Sequence, residues 1–394
     1  MAYFNPSRPS YVRDPYPALA RLRAEAPVHF SAELDGWVIT SYAECFRILH
    51  DVQTFGTDFF PWEYAGRDEE VAGREEIFAG VTRLTNTEGA DHVRKRAAIG
   101  AAFTQTAIEA MRPRIVEVTD QYVAAVTPGE PFDVIEAVAR PVPDTLLADR
   151  LGVTAEDYAR LAGWARSMLV ASEPFATEQQ MGEGREGREQ LAGYLAECPP
   201  GDAQATAVIA LARRAEEAGE INAAEVLSLI VDVALGDGLT ALIGSSLLSL
   251  SQHPDQLKLL HEDRSLIASG IEELARFDPP PHVLIRVVTT ETTLGGQRLR
   301  PGAMLFLMVG AANRDPAEFE HPDRLDVRRG NQRHLSFSAG EHFCVGAPFS
   351  RITITAVLTA FLGRFGQIEV VEGGVQRSAG FLARGFDRLE LIVT

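Results

Sequence analysis

Cysteine is scarce: Cys45, Cys198 and Cys344 are the only three in 394 residues. They are too few and too scattered for a disulfide framework, so each needs its own explanation. No Ser/Gly linker divides the chain, and prolines and glycines are spread along it instead of gathering at a junction, which favours one large domain, 1–394, over two joined by a hinge. The opening MAYFNPSRPSYVRDPYP is polar and broken by proline. It holds neither the apolar core of a signal peptide nor a membrane anchor, so a cytoplasmic protein is expected. Basic excess is missing too. A formal charge of -18 argues against nucleic acid or an anionic membrane as the main partner, because phosphate binding needs a concentrated positive surface. Internal repeats and low-complexity tracts are absent, which excludes solenoids and propellers.

What is present is enough apolar material, 46% of the chain, to bury a large core. Apolar residues recur at three- and four-residue spacing over 15–26, 91–103, 106–126, 155–171, 223–250, 254–262 and 266–277, which predicts helices there. Short β-branched or aromatic runs at 37–40, 286–288, 292–294, 304–309, 368–371 and 389–393 predict strands. The expected fold class is mainly α with small β-sheets (α+β), the β-rich part falling near 27–60 and 285–310.

The stretch 226–250 is the most apolar, with Asp232 and Asp237 its only charged residues. Its length raises the question of a membrane span. Two acids and three glycines argue instead for a helix buried in a soluble protein, a place where a binding site is often lined.

The strongest chemical signal is HLSFSAGEHFCVGAPFSR, 334–351. Cys344 lies between Gly340 and Gly346, and Ala347, Pro348 and a helical pattern follow. Backbone N–H groups and the helix dipole at that point favour a thiolate, the form that ligates metal. Glycines on either side let the backbone approach a flat cofactor, and Phe337 is placed to shield the sulfur. The competing reading of any lone cysteine is a buried structural thiol, and Cys45 and Cys198 are read that way.

Phe337, Gly340, Cys344 and Gly346 meet the pattern F-x-x-G-x-x-x-C-x-G, and the segment resembles the cysteine loop of the cytochrome P-450 family, particularly bacterial members with a G-A-P-L-A-R-like ending. The likeness runs from DPYPALARLRAEAPV to GFLARGFDRLELIV. It implies a single-domain cytochrome P-450 fold, with haem b between the long central helix and the cysteine-loop helix and Cys344 as axial thiolate on the iron.

Two further motifs fit that resemblance. Glu273 and Arg276, three apart on one helical face, would by themselves be read as a surface ion pair. They look like the family's E-x-x-R, which implies a buried structural network completed by Arg328. His92 and Arg96, four apart, form a pair of potential cations that calls for an anion, or else a solvated basic face. They resemble the family's H-x-x-x-R, which together with Arg286 and His342 implies contacts to haem propionates. Arg94 and Lys95 are candidates for a patch that meets an acidic ferredoxin. By family position Ala234 contacts the cofactor, and substrate contacts come from Phe59, Phe60, Trp62, Trp164, Leu169, Leu235, Val283, Leu284, Phe381 and Leu382, any of which is otherwise ordinary core.

The chain departs from the family in the central helix. LIGSSLLSLSQHPDQ fixes the register and puts Ala234, Leu235, Gly236, Asp237 and Gly238 where A-G-x-[DE]-T would stand. The acid that helps to deliver protons is present as Asp237. The alcohol is replaced by Gly238, and Thr240, roughly 200° further round an α-helix, faces away unless the helix is distorted. Two glycines, each about 1 kcal/mol worse than alanine, make such distortion conceivable. The expected activity is oxygen insertion into a small organic, secondary-metabolite or aromatic molecule by a monomeric monooxygenase fed by ferredoxin and its reductase. The alternatives are peroxide-driven oxidation or oxidative phenol or C–C coupling, and, from another class, a haem sensor without turnover.

Overall fold

The computed structural model describes residues 5–6, 8–58, 83–171, 176–197, 207–330, 333–378 and 380–394. The chain divides into two compact units, one of Met1–Gly56, Pro113–Val142 and Asp237–Thr394, the other of Thr57–Arg112 and Pro143–Gly236.

The first unit holds the sheets. A five-stranded sheet runs in the order Val28–Ser31, Gly36–Ile39, Met304–Met308, Val283–Val288, Phe55–Gly56. All its pairs are antiparallel except Gly36–Ile39 with Met304–Met308. Val, Ile, Leu and Phe dominate these strands because such side chains pack well on a pleated, half-buried surface. Thr292–Leu294 and Gln297–Leu299 form a hairpin whose turn residues, Gly295 and Gly296, both have positive φ, as a tight two-residue connection requires. Phe386–Val393 pairs with both Ile368–Arg377 and Phe132–Asp133. The helix Asp237–Gln252 packs against Ile267–Phe277 and Ala347–Arg364.

The second unit is helical. Ala155–Ala171 lies along Glu178–Glu197, with Gly187 in so close that a Cβ there would collide with Ser167 and the Trp164 carbonyl. Ala223–Ala234 begins at a reciprocal cap: the Asn222 side chain accepts from the Glu225 N–H and Glu225 accepts from the Asn222 N–H.

Every helix and strand expected from the periodicity is present, and two expected helices are split. The stretch 106–126 divides into Gln105–Ala110 and Arg112–Ala124. Pro113 lacks an N–H, and its ring would clash with the carbonyl four residues earlier in a continuous helix. The apolar stretch 223–250 divides into Ala223–Ala234 and Asp237–Gln252 because Leu235 leaves helical geometry at φ -92, ψ 91. Its most apolar window is 78% buried inside the protein, as expected of a core helix. Tyr42–His50, Pro141–Leu151, Glu178–Glu197 and Val208–Glu217 are further helices outside the expected ranges.

Candidate active site

Cys344 lies in a loop fixed mainly by its own backbone. The Cys344 N–H donates to the Phe337 carbonyl at 2.9 Å, Phe343 N–H to Gly340 at 3.1 Å, and Ala347 N–H to the Cys344 carbonyl at 3.3 Å. The chain reverses through Ser338 and Gly340, both at positive φ, and the helix Ala347–Arg364 starts three residues after the cysteine with Pro348 in its first turn. Cys344 is a half-buried thiol, in no disulfide, beside that helix N-terminus, whereas Cys45 is fully buried against the Ile39 carbonyl, and burial pushes its thiol pKa far up. Of these two cysteines only Cys344 has the partial exposure that a ligand or reactive thiol needs. Cys198 lies outside the described residues.

Gly340 admits no side chain. Its φ is +66°, and a Cβ would strike the Leu49 carbonyl oxygen. Gly340→Ala is therefore expected to lower the melting temperature by several degrees, since left-handed strain alone costs about 1–2 kcal/mol and the collision adds to it. An unchanged melting curve by circular dichroism would show that the loop is not held this tightly.

Beneath the loop lies the pair Glu273 and Arg276, both side chains with no solvent exposure. Arg276 donates from Nε and Nη2 to the two carboxylate oxygens at 2.7 and 2.8 Å, and from Nη1 to the carbonyls of Asn313 and Pro322. The arginine that joins them is Arg329, not Arg328. Arg329 Nε lies 3.0 Å from Glu273 without the alignment of a hydrogen bond, while Arg328 is exposed and only its backbone N–H bonds, to Asp326. In an irregular segment no period decides which of two adjacent arginines turns inward.

The preceding residue, Glu272, escaped the sequence reading. Arg351 donates to both its oxygens at 2.6 and 2.8 Å, and His334 Nε2 lies at 3.1 Å. Burial acts to raise the Glu272 pKa, but the Arg351 and His334 contacts outweigh it and hold it at about 2. Arg351 also stacks over the Phe337 ring at 4.6 Å, so this carboxylate braces both ends of the cysteine loop.

Arg286 is buried on the strand Val283–Val288 and donates to the Ile285 carbonyl; His342 is half-buried in the cysteine loop. In the second unit His92 is buried and Arg96 half-buried on the helix Gly89–Gly100. Arg94 on the same helix grips Glu225 bidentately, and Lys95 is 3% exposed, bonded to Thr87. A buried lysine cannot meet a partner, which corrects its assignment to a docking patch.

The two acids of the apolar stretch differ. Asp232 is held by Arg83 and by the Leu84 N–H. Asp237 opens the helix Asp237–Gln252, with its side chain 44% exposed and Arg140 Nη1 at 3.8 Å. Among the described residues, a Cβ on Gly238 would meet nothing within 4 Å, whereas one on Gly346 would meet only the Cys344 sulfur, at 3.8 Å. The uncrowded backbone at Gly238, and separately a half-buried thiol outside any disulfide next to a helix start and Gly346, are each compatible with a flat group whose metal takes a thiol ligand. The Ala234 carbonyl accepts from the buried Tyr158 hydroxyl. Thr240 is buried, its hydroxyl without a hydrogen-bond partner among the described residues.

Of the expected substrate contacts, Phe59, Phe60 and Trp62 lie outside the described residues. Trp164 and Leu169 are half-buried on Ala155–Ala171, and Leu235 sits at the helix break. Val283 and Phe381 belong to a core cluster against which Leu382 packs, and Leu284 packs on a second cluster.

The family model for cytochrome P-450 matches residues 259–378. The chain is 30% identical to 6-deoxyerythronolide B hydroxylase of Saccharopolyspora erythraea, covering 96% of both proteins. It is 32% identical to vitamin D(3) 25-hydroxylase of Pseudonocardia autotrophica over 87% of this chain and 84% of that one. Among solved structures, that of CalO2 superposes with a TM-score of 0.90 at 26% identity, covering 100% of this chain and 99% of the other.

Proposed function

The chain belongs to the cytochrome P-450 family of haem b monooxygenases, and on that premise we propose that Cys344 is its axial thiolate and that it oxidises a largely apolar small molecule, a secondary metabolite, with electrons from a ferredoxin system. The observation that carries this reading is the partly exposed thiol on a glycine-flanked loop at the start of Ala347–Arg364. When bound, haem supplies the chemistry that activates dioxygen, and electron donation from a thiolate favours O–O cleavage.

The chain's own residues then divide the work. Phe337 keeps water from the sulfur, while Gly340 and Gly346 bring the backbone close to the cofactor face. His92, Arg96, Arg286 and His342 are the proposed propionate partners, and Ala234 a contact on the central helix. Glu273, Arg276 and Arg329 support the loop without touching the reacting atoms. The relatives' match over nearly the whole chain supports treating 1–394 as one catalytic domain. A screen for compounds that shift the haem Soret band tests the substrate class: apolar metabolites should shift it in a saturable way, and silence across such a library would count against the reading.

Asp237 is the proposed proton donor, with a water or a substrate group in the space that Gly238 leaves open; such a water persists only where polar partners hold it. Asp237→Asn should then slow dioxygen-driven turnover more than turnover driven by hydrogen peroxide, which brings oxygen already reduced. The nearby Arg140 favours a second reading, a half-exposed acid that serves only as a charge partner at a helix start. Equal losses with both oxidants at unchanged haem content would support that reading. The open space at Gly238 also keeps peroxide-driven or coupling chemistry in view, and peroxide turnover without a redox partner is its test.

A further inference from the structure

The break in the central helix is held by a residue far away in the sequence. Tyr158, 2% exposed on the helix Ala155–Ala171, shares its hydroxyl proton between the Ala234 carbonyl at 3.0 Å and Asp144 Oδ1 at 3.3 Å. In a continuous helix the Ala234 carbonyl would accept from the Gly238 N–H, four residues on. Here a side chain has taken that place. Gly236 completes the arrangement: a Cβ on it would lie 3.1 Å from Leu147 Cδ1, 3.3 Å from Tyr158 Oη and 3.4 Å from Asp144 Oδ1, so only glycine passes through without neighbours giving way.

The exchange matters because of what it releases. The helix restarts at Asp237, so the amides of its first turn, Gly238 included, have no acceptor within that helix. Gly238 occupies the position of the alcohol in the A-G-x-[DE]-T pattern that the central helix resembles, and among the described residues nothing lies within 4 Å of where its Cβ would be.

We propose that Tyr158 is a positioning residue for oxygen activation: by capping the Ala234 carbonyl it keeps the helix open and leaves the Gly238 N–H as a hydrogen-bond donor in place of the missing hydroxyl. The proposal rests on the reading that the residues from Ala234 to Gly238 form the oxygen-activating window. Asp144 steadies the phenol, and Gly236 leaves it room.

Tyr158→Phe tests this in the haem-loaded enzyme. Without the phenol, the buried Ala234 carbonyl must regain the Gly238 amide or stay unsatisfied, and an unsatisfied buried group is costly. Hydrogen exchange in peptides spanning Gly238 is expected to slow. Product formed per reductant consumed should fall by about threefold to tenfold, the size of effect a single lost hydrogen bond supports. Peroxide-driven turnover and the spectrum with carbon monoxide should stay as in the parent. Gly236→Ala, which crowds the same hydroxyl, should act in the same direction and add little to Tyr158→Phe. Unchanged exchange with unchanged coupling overturns the proposal, and so do equal losses with dioxygen and peroxide. Loss of the carbon monoxide signature in the parent protein would fault the Cys344 reading instead.

Discussion

Glu273→Ala should give protein that aggregates or emerges without haem, not a folded enzyme with altered kinetics. Glu273 accepts two bonds from Arg276 and one from the Asp326 N–H, and Arg329 lies against it, all where the carboxylate has no solvent contact. Removing it strands a guanidinium that cannot reach water. Breaking a buried pair from one side costs about 3–5 kcal/mol, a large share of the roughly 5–15 kcal/mol that holds a domain together. The damage would spread toward the cofactor loop by a short route. Arg276 bonds the Asn313 carbonyl, and the Asn313 side chain accepts from the Leu335 N–H and donates to Ser336, where the cysteine loop begins. Arg276→Ala should fail in the same way. The ratio of haem absorbance to protein, with a thermal melt, reads the result. Soluble and fully loaded variants that merely turn over more slowly would mean that the pair does not support the loop.

That Glu273 and Arg276 share a helix face, and that Cys344 sits on a glycine-flanked turn, were legible because both are local, whereas the burial of the pair came only from the family resemblance, since spacing alone reads as a surface ion pair. A fixed spacing on one helix face, or glycines flanking a cysteine ahead of a helical pattern, carries its geometry with it. Glu272 adjoins Glu273, but an α-helix turns it by about 100° to another face, and its partners Arg351 and His334 lie in a distant part of the chain. Nothing in the doublet says which acid meets which base. The glycines at 236 and 238 hinted at a weakened helix, yet Tyr158, which holds the break, lies 76 residues upstream of Ala234. Glu178–Glu197 went unread for a related reason. Its glycines lower helix propensity and interrupt the apolar period, and packing on Ala155–Ala171 outweighs that. Phe381 and Leu382 show the limit for pocket residues: both pack at a core cluster, and an apolar side chain reads the same whether it lines a cavity or fills one.

The central claim is that Cys344 ligates the haem iron through its thiolate. Loop backbone bonds hold that residue, the helix Ala347–Arg364 begins just beyond it, and the thiol is not buried away as Cys45 is. Since a thiolate ligand alters the electronic spectrum of the iron in a way that a nitrogen ligand or a water does not, the test is optical and needs no substrate. Reduced protein exposed to carbon monoxide should show the strongly red-shifted Soret band of a thiolate-ligated haem, and Cys344→Ala, reconstituted with haem and treated identically, should show none of it; the same red-shifted band in that variant would contradict the assignment.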